Sequence, residues 1–350
     1  MRVERMQAAK EKYVGRGLTG LANLGNTCYL NSCMQVLSHT YELSEYLERK
    51  GYEGRLNKKV DALLLIEWDK LRRLMWSQNC VVAPHGFVKA VQGVAASKGM
   101  QLFAGYAQND TQEFLTFLVD AFHCAVARGV DMTITGEVKN ANDSLAKECY
   151  AMMKRMYSED YSEMVSIFCG IHVSELRRAS TGERLSVTPE PFFVLSVPLP
   201  ATQSSLTVHD CIAAHCAVER LSGDNGLLNE STNEKEDVDK GIVFWSLPNV
   251  LIVHLKRWNY SGRKDMRLVS SPLTDVDFRE FVRGYNRDTY IYELYGVCNH
   301  MGGTLGGHYT ANVRVADGTW RSFNDTSITH IAEESVVGPH AYCLFYRKKL

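Results

Sequence analysis

The sequence has little that points to a membrane, a nucleic acid or an oxidising compartment. Its longest aliphatic stretches, Leu63 to Ile66 and Val250 to Val253, fall far short of the roughly 20 residues a spanning helix needs. The opening residues, MRVERMQAAKEKYVGRG, are charged throughout and lack the apolar centre of a signal peptide. Lys plus Arg is 39 and Asp plus Glu is 40, a net charge of −1, so no global field attracts nucleic acid or an anionic membrane. Ten cysteines in 350 residues are too sparse for a disulfide scaffold, and Cys33, Cys124 and Cys343 lie inside apolar patterns. No internal repeat is present. The expectation is a soluble cytoplasmic or nuclear protein with reduced thiols, working as a monomer with no membrane and no nucleic-acid partner.

What is present is an ordinary globular composition, 45% apolar and 23% charged, in a length suited to one large domain or two smaller ones. Residues 1–16 read as a polar arm without a packing pattern. A Gly/Asn-rich loop then enters a short helix carrying Leu30, Met34 and Leu37. A second helical pattern spans about 61–76, with Leu63, Ile66, Leu71 and Leu74 on one side. A third begins at Asp110, a candidate N-cap, with Glu113 placed as in a capping box and Phe114, Leu115, Leu118 and Phe122 following. From about 165 the period falls to two. Strand-like runs occur at 192–199, 250–256, 289–297, 309–315, 319–323 and 342–347, and Asp317-Gly318 marks a hairpin turn. Helices first and strands afterwards predict an α+β fold. The stretch Ser222 to Lys240 is acidic and aperiodic, and reads as an exposed loop within the fold.

Two motifs carry chemistry. GLANLGNTCYLNS places Cys28 where a Gly/Asn loop becomes a helix, and unpaired N–H groups with the helix dipole favour the thiolate there. Gly20 and Gly25 permit a tight turn, and Asn23 can aim its side-chain NH₂ at a developing oxyanion. NHMGGTLGGHY opens a strand at His308, and the following hairpin returns Asn324 alongside. His308 can then act as a base whose second ring nitrogen is held by an amide, the Cys-His-Asn form of the triad.

These motifs resemble the cysteine and histidine boxes of the ubiquitin-specific proteases, papain-like deubiquitinases. QNDTQEF (Gln108 to Phe114), EPFFVLSVPLP from Glu190, LPNVLIVHLKRW (Leu247 to Trp258) and AYCLFYRKK resemble further family segments, so the likeness covers about residues 17–347. It implies a papain-like right hand. The thumb would be helical over about 17–150, with β-rich fingers and palm over about 160–350, forming one catalytic domain over 17–350 after the arm 1–16. It also implies a thiol-dependent hydrolase of the isopeptide bond at ubiquitin's C-terminal glycine, with ubiquitin and ubiquitinated proteins as partners and no cofactor.

Carried over to this chain, the family's roles make Cys28 the nucleophile, His308 the base, Asn324 the orienting residue and Asn23 the oxyanion donor, with Asp325 sharing the role of Asn324. Asp110, Glu113, His300 and Tyr309 would line the channel for ubiquitin's tail, and Gly306 and Gly307 would floor a passage narrow enough to favour Gly-Gly. Many members bind zinc at the fingertips through two C-x-x-C pairs. Here the first position reads Ser174-Glu-Leu-Arg177 and the second falls in the cysteine-free stretch 222–240, so no metal is expected. His209, Cys211, His215 and Cys216 have ligand-like spacing but fall on a family helix. His39, His254, Phe192, Phe193, Trp245 and Trp258 read as structural. The same residues also admit a protease for a ubiquitin-like modifier or a non-catalytic ubiquitin-binding scaffold. A metal-dependent isopeptidase would need a His-rich ligand motif, which the sequence lacks.

Overall fold

The structure is a computed structural model that describes residues 11–49, 51–201, 205–229, 233–303 and 306–349. Its organisation follows from one apolar run. Every residue from Val250 to Leu255 is buried, as expected of a strand covered on both faces. Side chains alternate across a strand. Accordingly, Val250 and Ile252 join the core beneath the helices, while Leu251, Val253 and Leu255 join a second core on the far side. Neighbouring strands divide in the same way. Cys343 and Phe345 face the first core, and Leu344 and Tyr346 face the second.

This strand belongs to an eight-stranded palm sheet. The main path runs Ser327–His330, Trp320–Asn324, Gly306–Arg314, Ile291–Gly303, Ala341–Lys348, Val250–Lys256 and Val194–Pro198, with Val276–Asp277 beside the start of Ile291–Gly303. All pairings are antiparallel except that of Val250–Lys256 with Val194–Pro198. The thumb packs on one face through helices α1 (Cys28–Ser38), α2 (Tyr41–Glu48), α3 (Asp61–Ser77), α4 (His85–Ser97) and α5 (Thr111–Val126). Helix α5 starts where the sequence predicts. The Asp110 carboxylate accepts from the N–H groups of Gln112 and Glu113, but no reciprocal bond from Glu113 completes a capping box.

Helix α3 covers the predicted span but turns a different face inward. Leu64, Leu65, Trp68, Leu71 and Met75 are buried, whereas Leu63 and Leu74 are half exposed. Trp68 decides the face, because its ring packs between Phe87 and Phe122. The largest apolar side chain gains most from burial. The N-terminal arm also departs from expectation within its described part. Tyr13 is buried, stacking 5.1 Å from Tyr41 and packing 4.6 Å from Trp76. Residues 1–10 of the expected arm lie outside the described residues.

Helix α6 (Ala141–Asp160), absent from the sequence reading, is capped by Asn140. It places Leu145, Ala146, Cys149 and Met152 against Ile171, Val173 and Trp245, a small core of its own. Helix α7 (Glu163–Phe168) returns to the thumb core, and α8 (Val208–Cys216) packs on the palm's other side. The fingers sheet runs Arg184–Phe192, Gly170–Arg178, Val238–Ser246 and Glu219–Leu221.

The acidic stretch 222–240 is not a plain loop. Leu227–Asn229 pairs with Glu234–Glu236, and Val238 to Lys240 begin the long fingers strand. Charge pairs accompany these polar residues: Arg220 meets Asp239 directly across the ladder, and Arg178 meets Glu236 at 2.9 Å and also Glu183 beside it. Residues 230–232 of that stretch lie outside the described residues. Where the family's first zinc pair would stand, Ser174 and Arg177 lie on a strand and offer no thiolate, so a zinc ion does not fit. Among the described residues no cluster of three or more His, Cys, Asp or Glu could hold a metal, and no helix is long and apolar enough to cross a membrane. The spaced residues of α8 serve elsewhere. His209 bonds the Asp277 carbonyl, Cys211 is in the core and His215 stacks on Phe244.

Denaturant titration tests the helix face. Trp68→Ala should cost about 3–5 kcal/mol of stability, and Leu63→Ser less than about 0.5 kcal/mol. The reverse order would mean that α3 is turned the other way.

Candidate active site

Three separated segments build the site, and each is held by backbone bonds. Residues 20–22 form a short parallel pairing with Val81–Val82, and Leu21 N–H bonds the carbonyl of Asp325 at 2.9 Å. At Gly20 a Cβ would stand 2.5 Å from the Thr326 carbonyl oxygen, so only glycine lets the loop before Cys28 press against that turn. The loop then folds on Asn23, whose Oδ1 accepts from the N–H groups of Gly25 and Thr27 at 3.1 Å each. Cys28 follows as the first residue of α1, almost wholly buried.

Its thiol does not behave as the helix start alone suggests. Burial pushes its pKa up, the Asp325 charge adds to this, and backbone N–H groups of Tyr309 and Tyr29 only partly oppose it. Desolvation of a nearly enclosed sulfur outweighs the helix-end effect, so the resting group is the neutral thiol.

His308 lies on the strand Gly306–Arg314, which packs against α1. Its Nε2 meets Asn324 Oδ1 at 2.6 Å. The strand pairing itself ends at Ala311 opposite Phe323, so the two side chains reach each other beyond the ladder rather than as a directly opposed pair. Donation from Nε2 puts the ring proton there and leaves a lone pair on Nδ1. Among the described residues no hydrogen bond joins Cys28 to His308. The sulfur instead faces the Tyr309 N–H.

Asp325 has a different place from the one the sequence suggests. It does not share the His308 contact. Its carboxylate accepts from Asn23 Nδ2 at 3.0 Å and Asn31 Nδ2 at 2.7 Å. A carboxylate can only accept, so Asp325 sets which way the Asn23 amide points. One N–H of that amide is thereby committed, leaving the other for a developing oxyanion.

The remaining expected residues form a cleft wall. Asp110, besides capping α5, accepts from the Tyr342 hydroxyl at 2.5 Å, so both its oxygens are engaged. Glu113 is exposed one turn along, its pKa raised by burial and by Asp110. His300 stacks on Tyr309 at 4.5 Å and accepts at Nδ1 from Lys264. Burial and that lysine lower its pKa to about 4, so the ring is neutral. Lys264 is itself lowered to about 8 by burial and Arg257. Gly307 is crowded: a Cβ there would lie 2.3 Å from His300 Nε2. Gln108 reaches Gly307 with both ends of its carboxamide. Asn31, Gln108 and Tyr342 stood inside quoted motifs without a role, and Lys264 gave no sequence signal.

A family model described as ubiquitin carboxyl-terminal hydrolase matches residues 19–346. The chain belongs to the ubiquitin carboxyl-terminal hydrolase family. It is 36% identical over 341 residues to ubiquitin carboxyl-terminal hydrolase 2 of Homo sapiens, covering 95% of this chain and 55% of that protein. Its counterpart in Gallus gallus is 35% identical over 343 residues, covering 95% of this chain and 94% of the relative. The chain thus spans about half the length of the human relative. In architecture it is similar to a structure of a SAGA DUB module, Ubp8/Sgf11/Sus1/Sgf73, bound to monoubiquitin, with a TM-score of 0.72 at 22% identity, covering 95% of this chain and 70% of that one. The α+β papain-like hand is therefore the fold of this family member. His39 and His254 take structural places within it. His39 bonds the Gln35 carbonyl and packs on Trp76, and His254 bonds Ser196. Phe192, Phe193, Trp245 and Trp258 lie in or against the cores.

His39, His215, His254 and His300 all have pKa values lowered to about 4 from 6.5, chiefly by burial. On unfolding each takes up a proton anywhere between those values. The stability that neutral burial provides is therefore present above pH 6.5 and lost as pH falls toward 4, by up to about 1.4 kcal/mol per histidine per pH unit. Urea midpoints should fall between pH 7 and pH 5, and equal midpoints would contradict the neutral assignments.

Proposed function

We propose that this chain is a thiol-dependent deubiquitinase that hydrolyses the isopeptide bond at the C-terminal glycine of ubiquitin through Cys28, His308 and Asn324. The observation that carries the reading is the His308–Asn324 contact at 2.6 Å on the strand facing the Cys28 helix start. The names of the relatives and the ubiquitin in the SAGA structure support ubiquitin as the substrate.

In this mechanism His308 Nδ1 takes the thiol proton once substrate brings the two groups together, since catalytic hydrogen bonds often tighten only in the complex. The sulfur attacks the glycine carbonyl carbon. The uncommitted N–H of Asn23 and backbone N–H groups at the helix start stabilise the oxyanion. His308 then protonates the departing lysine amine as the C–N bond breaks, and water activated by the same ring hydrolyses the thioester. Glu113 provides an exposed carboxylate for an arginine of the tail. Asp110, His300, Tyr309 and Gly307 contribute a packed wall whose crowding at Gly307 favours glycine, while Gly306 beside it is exposed. All ten cysteines are free, which suits the cytoplasm or nucleus.

Ubiquitin carrying a C-terminal electrophile tests the reading by intact mass. Wild type should gain one ubiquitin, and Cys28→Ser should not. Equal labelling of both proteins would sink the nucleophile, and labelling of neither would remove ubiquitin as the substrate. Asp325→Ala should lower kcat about 10- to 100-fold by releasing the Asn23 amide, and an unchanged kcat would remove Asn23 from the oxyanion site.

A further inference from the structure

The Gln108 carboxamide crosses from the thumb to the strand that carries His308. Its Oε1 accepts from Gly307 N–H at 2.9 Å, and its Nε2 donates to the Gly307 carbonyl. Both polar backbone groups of one residue are thus taken by a single primary amide.

The strand geometry gives that contact a meaning. Along a strand, the N–H and C=O groups of alternate residues face the same edge. Ala311 and Val313 use that edge to pair with Phe323 and Arg321, and the pairing stops there. Tyr309 follows, with its N–H at the Cys28 sulfur. Gly307 is next, about 7 Å farther along the edge. An unpaired edge of this kind is a template for an added extended chain. Gln108 occupies it with the same donor and acceptor that such a chain would offer.

The side chain is also positioned to leave. The chain on either side of it is tied down separately, by Asn26 donating to the Tyr106 carbonyl at 3.0 Å and by Tyr342 donating to the Asp110 carboxylate at 2.5 Å. The carboxamide can therefore swing away without moving the segment.

We propose that the Gln108 carboxamide is a displaceable occupant of a peptide-binding position at Gly307, holding the place that an extended substrate chain takes by strand pairing about two residues before the reacting carbonyl. The proposal rests on the deubiquitinase reading for the identity of that chain, ubiquitin's tail. Displacement exchanges two hydrogen bonds for two, so the occupant acts mainly as a competitor that the tail must remove. Recognition at this position uses main-chain groups, and specificity falls to the crowded glycine floor.

Steady-state hydrolysis of a ubiquitin C-terminal conjugate should show KM lowered about 3- to 10-fold in Gln108→Ala with kcat little changed. Gln108→Glu should move KM the same way, because its carboxylate faces the Gly307 carbonyl without a proton to donate. A fall in kcat with KM unchanged in both variants would make Gln108 a support for the histidine loop and overturn the proposal.

Hydrogen exchange at the Gly307 amide gives a readout independent of turnover. That amide should be protected in the unliganded protein, exposed in Gln108→Ala, and protected again when ubiquitin saturates Gln108→Ala carrying Cys28→Ala. Ubiquitin binding without restored protection would overturn the proposal and leave the deubiquitinase reading standing. No binding by any form would overturn both.

Discussion

The Asp325 carboxylate ties together parts of the chain that lie far apart in sequence. It bonds Asn23, 302 residues away, and Asn31, on the helix that Cys28 begins, while the backbone carbonyl of Asp325 receives the Leu21 N–H. These bonds fasten the loop before Cys28 to the turn that follows Asn324, and so to the amide that bonds His308. Asp325 adopts φ of 48°, a conformation an aspartate tolerates better than most residues. Thumb and palm also meet through a shared core and through the Asp110–Tyr342 and Gln108–Gly307 bonds, but only this junction ties the Cys28 loop directly to the turn after Asn324.

Near that junction two histidines are kept neutral by burial. His300 and His254 are held uncharged, and the Tyr309 and Tyr342 hydroxyls are pushed upward by burial and by Asp110. The rings of Tyr309, His300 and Tyr342 pack on one another, giving a stiff wall with little charge of its own. Cys28 shares the same dry setting, which raises its pKa. A thiolate generated there faces few competing solvent contacts. Beside these rings the charge is carried by the Asp110 carboxylate, to which the Tyr342 hydroxyl donates.

The fingers solve a different problem. Without thiolate ligands at their tips, they rely on a long antiparallel ladder between Gly170–Arg178 and Val238–Ser246, with charge pairs from Arg178 and Arg220 beside it. Exposed pairs of this kind are screened by water and contribute little. The backbone ladder and the small core under Trp245 therefore carry most of the shape.

Much of this was legible from local pattern. The helix start at Asp110, the turn at Asp317-Gly318, the buried strand at 250–256 and the pairing of His308 with Asn324 each depend on residues close in sequence, where spacing and turn chemistry decide the outcome. Tertiary structure decided the rest, because those choices depend on partners that local spacing does not reveal. Which face of α3 is inside depends on where Phe87 and Phe122 stand around Trp68. Tyr13 is ordered by Tyr41 and Trp76. The acidic stretch became strands because backbone partners far along the chain pair with it, Val238 to Lys240 between Leu176 to Arg178 and Glu219 to Leu221. Asp325 turned to Asn23 and Asn31 once the two ends of the chain met, and Gln108 found Gly307 across a gap of 199 residues. Sequence alone determined which chemical groups the protein carries and the local elements that present them. Only the folded chain determined which of those groups touch, since hydrogen bonding and desolvation act over a few ångströms in space irrespective of separation along the chain.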